Sequence, residues 1–287
     1  DGYLWVGTKG GLGRFDGMRF EVFDDLHADQ LREGEVWALA EDPDGSLWIG
    51  TYGGGLSHLK DGRFETFTVD EGLPNNQVVD LVSLPDGRLW SATLGGLVLR
   101  DTAGRLTVFG TGNGLPSKGV QALHLDRDNT LWIGTDAGLA SYRDGKITNH
   151  AALHPRELDK PVSAIVGSLQ DGLWLGLSIG GGQAYGLARY RGDLVTQFTT
   201  RDGLPSDAVT SLLIDSHSTL WIGTLGGLSR YRSGRFESHS GETTGVSRQG
   251  VVETASLQNI EHLLVDREGS LWIGTRTDGL ARLRDTV

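Results

Sequence analysis

Leu47-Trp48-Ile49-Gly50-Thr51 is the stretch that decides the fold. Close copies stand at Leu4-Trp5-Val6-Gly7-Thr8, Leu89-Trp90-Ser91-Ala92-Thr93, Leu131-Trp132-Ile133-Gly134-Thr135, Leu173-Trp174-Leu175-Gly176-Leu177, Leu220-Trp221-Ile222-Gly223-Thr224 and Leu271-Trp272-Ile273-Gly274-Thr275. The seven copies hold seven of the eight tryptophans, spaced 43, 42, 42, 42, 47 and 51 residues apart. A fixed period of that length in strand-type residues predicts a β-propeller, one blade per repeat.

One repeat read outward from Trp48 gives the plan. Val36-Trp37-Ala38-Leu39-Ala40 is a short apolar strand, and Asp42-Pro43-Asp44-Gly45 is a tight turn. The motif is the second strand. Leu56-Ser57-His58-Leu59 is the third, and Arg63-Phe64-Glu65-Thr66-Phe67 alternates as a half-exposed outer strand. Gly72-Leu73-Pro74 leads on to the next first strand. The motif is apolar on both faces, as a sheet packed between two others requires. The glycine after Trp-Ile is expected to let a neighbour approach the backbone closely.

First strands are expected from Val36, Val78, Val120, Val162, Val209 and Ile260, each 12 residues before its motif tryptophan. The predicted fold is all-β: a seven-bladed propeller of four-stranded antiparallel blades, residues 1–287 forming a single domain. The first blade lacks its first strand on this plan, and the last lacks its outer strand. A segment upstream of Asp1 is expected to supply the pair. Extra residues fall within 178–186 and 239–258, and both are expected as loops.

Bulk numbers bound the function. The net charge is −11, which argues against nucleic acid and anionic membranes. There is no cysteine, so disulfides and thiolate metal sites are excluded. No apolar run approaches the roughly 18 residues of a membrane helix. With no signal peptide at its start, the sequence is expected to be a mature or excised piece.

No catalytic constellation emerges. Histidines at 27, 58, 124, 150, 154, 217, 239 and 262 show no helical or strand ligand spacing with a nearby carboxylate, and no cysteine nucleophile is available. The Asp-Gly pairs are hairpin turns, without the ladder of oxygen ligands a calcium loop needs. No metal, cofactor or catalytic residue is therefore assigned. The motif tryptophans are read as blade packing. Trp37 is the eighth tryptophan, outside the motif on a first strand.

Recognition is expected where the repeats differ. Fourteen residues before the motif tryptophan stand Asn76, Lys118, Lys160, Asp207 and Gln258, and the next position includes Glu35 and Gln77. Varied polar groups at first-strand starts suit a small-ligand site at a channel mouth. Tyr52, Tyr185 and Arg276 follow second strands and are placed on the same rim. With Trp37 they complete the candidate set.

The stretches Asp215 to Arg230 and Asp266 to Arg282 both run Asp-x-x-x-x-Leu-Trp-Ile-Gly-Thr, then Gly-Leu-x-Arg. This pattern resembles the two-component regulator propeller repeat, and the resemblance covers essentially the whole chain. It implies a non-catalytic, periplasmic sensor region of a bacterial membrane-bound signalling protein. The expected ligand is a small polar solute or an oligosaccharide, and a second propeller or a homodimer partner is expected beside it. Contact with the membrane would come only through segments outside this chain. Two alternatives stand beside it: a lyase similar to the virginiamycin-inactivating propellers, and a protein-interaction platform.

Overall fold

The computed structural model describes residues 2–23, 31, 35–168, 172–178, 182–239, 244–247, 250–252 and 257–283. The fold is all-β, a seven-bladed β-propeller in which each sheet is built from antiparallel neighbours. The described residues hold one four-residue helix, His150–Leu153, and three short 3₁₀ turns.

The chain forms two compact units. One comprises Asp1–Leu125, Asn129–Asp136 and Ala140–His150; the other comprises Asp126–Asp128, Ala137–Leu139 and Ala151–Val287. In the first unit, the first strands Val36–Glu41, Val78–Ser83 and Val120–Leu125 pack side by side. In the second, Ala164–Ser168, Val209–Ile214 and Ile260–Val265 do the same. In the second, third, fourth, sixth and seventh blades the motif strand pairs with the first strand in one register. Val36 faces Thr51, Val78 faces Thr93, Val209 faces Thr224 and Ile260 faces Thr275.

The motif residues earn their repetition physically. Trp48, Trp90, Trp132, Trp174, Trp221 and Trp272 are all buried, so packing and not ligand stacking is their role. Trp90, for example, packs edge-on to Tyr142 with ring centroids 4.8 Å apart. The motif threonine closes the turn into the third strand. Its hydroxyl donates to a glycine carbonyl in Thr51–Gly55 (3.0 Å), Thr93–Gly96 (2.7 Å) and Thr224–Gly227 (2.8 Å). The motif glycine makes room. A Cβ on Gly50 would lie 2.8 Å from the Val78 carbonyl oxygen, and one on Gly223 would lie 2.6 Å from Ile260 Cγ2. The close approach expected from the sequence is therefore real at Gly50 and Gly223.

Two expectations change. The outer position of the seventh sheet is filled, by a hairpin that precedes that blade in sequence. Thr244–Ser247 pairs with Gly279–Leu283, and Gly250–Val252 pairs with Thr244–Ser247, giving a five-stranded sheet. The long spacer 239–258 thus supplies strands as well as loop. Its Thr, Val and Gly residues cover the backbone edge that Gly279–Leu283 would otherwise leave unpaired. Residues 240–243, 248–249 and 253–256 of that spacer, and 179–181 of the shorter one, lie outside the described residues. The first strand of the fifth blade begins at Ala164, two residues later than expected. Ser163 precedes it, and its hydroxyl donates to both the Gly176 and Val209 carbonyls.

Candidate functional site

One backbone bond recurs at one end of the blades. The amide of the residue after the motif threonine donates to the carbonyl of the residue before the first strand. The pairs are Tyr52–Glu35 (2.9 Å), Leu94–Gln77 (3.2 Å), Asp136–Gly119 (3.0 Å), Leu225–Ala208 (3.1 Å) and Arg276–Asn259 (2.9 Å). Each bond clamps two loop residues of one blade together. The sequence reading that these two loop sets share one end therefore holds within those five blades.

A second feature follows directly. In five blades the ladder slips immediately after the first residue of the first strand, so one residue is left without a partner. Those residues are Trp37, Val79, Gln121, Thr210 and Glu261. A bulge of this kind re-aims the extra side chain and strengthens the local twist. Here it brings the bulged side chain to the residue after the motif threonine. Trp37 stacks on Tyr52, with ring centroids 4.6 Å apart and planes at 21°. Gln121 Nε2 donates to Asp136 Oδ1 (2.7 Å), and Arg276 Nε donates to Glu261 Oε1 (2.8 Å). Val79 and Leu94 share an apolar cluster. In the fifth blade, Ser163 and Ser178 occupy the same two places and their hydroxyls meet at 3.0 Å. The second, third, fourth and seventh blades thus pair different chemistry on the same bulged frame, while in the sixth Thr210 donates instead to the Gly223 and Ile260 carbonyls.

The sequence candidates divide accordingly. Trp37 and Tyr52 form an exposed aromatic pair, 38% and 40% accessible. Tyr52 also bridges to Gln77 across the gap between the second and third blades. Glu35 is joined to Tyr52 by the recurrent clamp. Arg276 is held by Glu261. Lys118 and Gln258 are exposed. In the second unit, the Lys160 amine lies 5.7 Å from the Tyr185 ring centroid and donates to the Arg156 carbonyl. The Tyr185 hydroxyl donates to Gln183.

Asn76 and Asp207 have a structural task that the sequence reading did not foresee. Asn76 Oδ1 accepts from the Val69 amide (2.8 Å), and Asp207 Oδ1 accepts from the Thr200 amide (2.6 Å). These amides open the 3₁₀ turns Val69–Glu71 and Thr200–Asp202, where orphan donors need acceptors. The signal was present in Thr68-x-x-Glu71 and Thr199-x-x-Asp202, both reciprocal capping boxes. The paired bulge residues Gln121 and Glu261 were missed. Reading down the column 11 residues before each motif tryptophan would have found them, since Trp, Val, Gln, Ser, Thr and Glu alternate there.

The opposite end of the sixth and seventh blades carries a cleft of about 520 Å³, lined by Asp215, His217, Glu268, Ser270 and Arg282 among others. Its polar groups are largely satisfied internally. Asp215 accepts from the His217 and Thr219 amides and from Trp221 Nε1. Arg282 donates to Asp266, Glu268 and Ser270. Among the described residues no group of three or more His, Asp or Glu stands close enough to hold a metal ion.

Asp80 is a carboxylate placed between two first strands. It accepts from the Leu81 amide (2.8 Å) and, across the blade gap, from the Leu123 amide (2.7 Å). Burial pushes its pKa up from the ordinary 3.8 to about 6, against the two amide bonds. The folded state then holds a proton that the unfolded chain has lost between those values. The contribution to stability falls as pH rises from about 4 to 6, and the full cost of the charge is present above 6. Ser211 does the same bonding job with a neutral hydroxyl, accepting from Leu263. Asp80→Ser is therefore expected to flatten the urea-denaturation midpoint between pH 4 and 6 and to raise it at pH 7.5. An unchanged slope would contradict the assignment.

Comparisons with known proteins fit this geometry. The two component regulator propeller family pattern matches residues 30–53, 114–137 and 203–226. Those three stretches are similar to the repeat of that family. The propeller is similar to the extracellular domain of BT4673, assigned as a signalling system of B. thetaiotaomicron. The TM-score is 0.77 at 22% identity, covering 99% of this chain and 37% of that one. It is similar to the extracellular domain of BT3049, assigned to a hybrid two component system of the same organism. That TM-score is 0.75 at 23% identity, covering 98% and 38%. This propeller spans well under half the length of those chains. It is also similar to virginiamycin B lyase from Staphylococcus aureus, with a TM-score of 0.65, 17% identity and coverage of 98% and 93%. At these identities the likeness is one of fold. No curated protein matches the chain in sequence.

Proposed function

We propose that this propeller is the ligand-sensing region of a bacterial membrane-bound signalling protein, held on the extracytoplasmic side and working without catalysis. Its ligand is a small polar solute or an oligosaccharide. A second propeller or a second copy of the chain reads the occupied state. The observation that supports this most is the recurrent clamp and bulge. In the second, third, fourth and seventh blades they hold a variable pair at the same strand end, while the blade cores repeat. Diversity confined to one end of a fixed frame is what recognition requires and packing does not. The repeat family and the extracellular signalling domains of like fold support the setting.

Binding stabilises a protein in proportion to occupancy, so a thermal-shift screen of oligosaccharides and small metabolites tests the reading. A hit is expected to lose its shift in Trp37→Ala or in Arg276→Ala. A hit that survives both substitutions places recognition elsewhere. Turnover of a hit by the purified protein would favour the lyase reading instead.

A further inference from the structure

We propose that Asn113 is a site of self-modification, at which the Gly114 backbone nitrogen displaces ammonia from the Asn113 side chain, and that the site is set by a turn lacking the side-chain locks of its two counterparts. The chain has six asparagines, and Asn113 alone is followed by glycine. A glycine there places no Cβ in the path of its own nitrogen toward the preceding side chain. Thr111, Gly112 and Asn113 are exposed, so water and base reach the pair.

The three Gly-Leu-Pro connectors begin with the same 3₁₀ turn. Val69–Glu71, Thr111–Asn113 and Thr200–Asp202 each end on a left-handed glycine, with φ of 105° at Gly72, 105° at Gly114 and 107° at Gly203. In each, that glycine's amide donates to the first carbonyl of the turn, at 3.2, 3.1 and 3.3 Å. In each, the third side chain accepts from the amide before the turn: Glu71 from Thr68, Asn113 from Gly110 and Asp202 from Thr199.

Two further locks separate them. The Thr68 and Thr199 hydroxyls accept from the Asp70 and Arg201 amides and donate to the Glu71 and Asp202 carboxylates. Asn76 and Asp207 accept from the Val69 and Thr200 amides. The connector at 110–118 has Gly110 in the threonine's place and Lys118 in the place of Asn76 and Asp207. Glycine has no hydroxyl and a lysine ammonium only donates, so neither lock forms on the Thr111 and Gly112 amides. Gly112 adds backbone freedom in the middle of the turn. With fewer bonds to break, this turn opens more readily than the other two, and opening frees the Gly114 nitrogen from the Thr111 carbonyl.

The chemistry balances with water alone. Base takes the Gly114 N–H proton, the nitrogen attacks Asn113 Cγ, the Cγ–Nδ2 bond breaks, and ammonia leaves a five-membered imide. Water then opens the ring at one carbonyl or the other. One opening gives aspartate, which keeps an acceptor for the Gly110 amide, as Asp202 does for Thr199. The other gives the isomer whose main chain runs through Cβ and no longer fits the turn. Either product adds a negative charge to the connector that leads to Gly119, whose carbonyl is clamped to Asp136.

Purified protein held folded at pH 8.5 and 37 °C, then cut with trypsin, is expected to gain about 1 Da on fragment 106–118 at least tenfold faster than on fragment 64–88, which holds Asn75 and Asn76. Installing both locks, as Gly110→Thr with Lys118→Asp, is expected to slow the gain at least fivefold, read on fragment 106–127. The Gly110 backbone is extended like that of Thr68 and Thr199, and a Cβ on it meets nothing within 4 Å. If the paired variant melts below the parent, Gly110→Thr alone is read by the same measure. A gain on 106–118 no faster than on 64–88 would overturn the proposal. So would an unchanged rate in the locked variant, which would show that the turn does not set the site.

Discussion

Trp90→Ala is expected to lower the free energy of unfolding by about 3–5 kcal/mol, the range for emptying a large aromatic site in a packed core. Trp90 is 2% exposed and is wedged against Phe109 and Tyr142 in the cluster that joins the third and fourth blades. Removal leaves a cavity bounded by strands that cannot collapse, because their registers are fixed on both sides. Trp37→Ala is the control. Trp37 is exposed and bulged, so its loss is expected to cost no more than about 0.5 kcal/mol, as for surface positions generally. Urea denaturation of the two variants separates the roles that the sequence assigns to tryptophans of identical chemistry. Equal costs would mean that burial at the motif position does not carry the fold.

Gly50→Val is expected to cost about 3 kcal/mol, at the upper end of the overpacking range. The added Cβ would meet the Val78 carbonyl oxygen at 2.8 Å and Val78 Cγ1 at 2.9 Å. The carbonyl is backbone and cannot rotate away, so the two blades must part. Gly50→Ala brings the same Cβ without the two γ-methyls and is expected to cost less, about 1–2 kcal/mol; the third blade accommodates Ala92 at this place, fully buried. The ordering Val worse than Ala is the diagnostic result. A Val variant within 0.5 kcal/mol of the parent would show that the blades have slack at this contact.

Most of the fold was legible because its cause is local and repeated. Trp, β-branched neighbours and a close-approach glycine recur at one spacing, and the strand registers follow from them. What escaped was non-local or non-periodic. The strand Thr244–Ser247 lies in a Ser/Thr/Gly-rich spacer with no motif, and only the open edge of Gly279–Leu283 gives it a reason to pair. The site was half legible. The strand end was readable from antiparallel connectivity, and Trp37 and Tyr52 stood out by type. The bulge was not readable, because a one-residue slip leaves no mark on composition. It moves the variable position from the first-strand approach, where Asn76 and Asp207 are occupied with capping, to Trp37, Gln121 and Glu261.

The most direct test is a hydrogen-exchange footprint of the propeller saturated with the strongest hit from the thermal-shift screen. Protection confined to backbone amides around 35–37, 51–53, 77–79 and their counterparts in the other blades is the predicted result. Protection at 215–217 and 268–270, with those strand ends unchanged, would place recognition in the cleft at the other end of the blades and contradict the account.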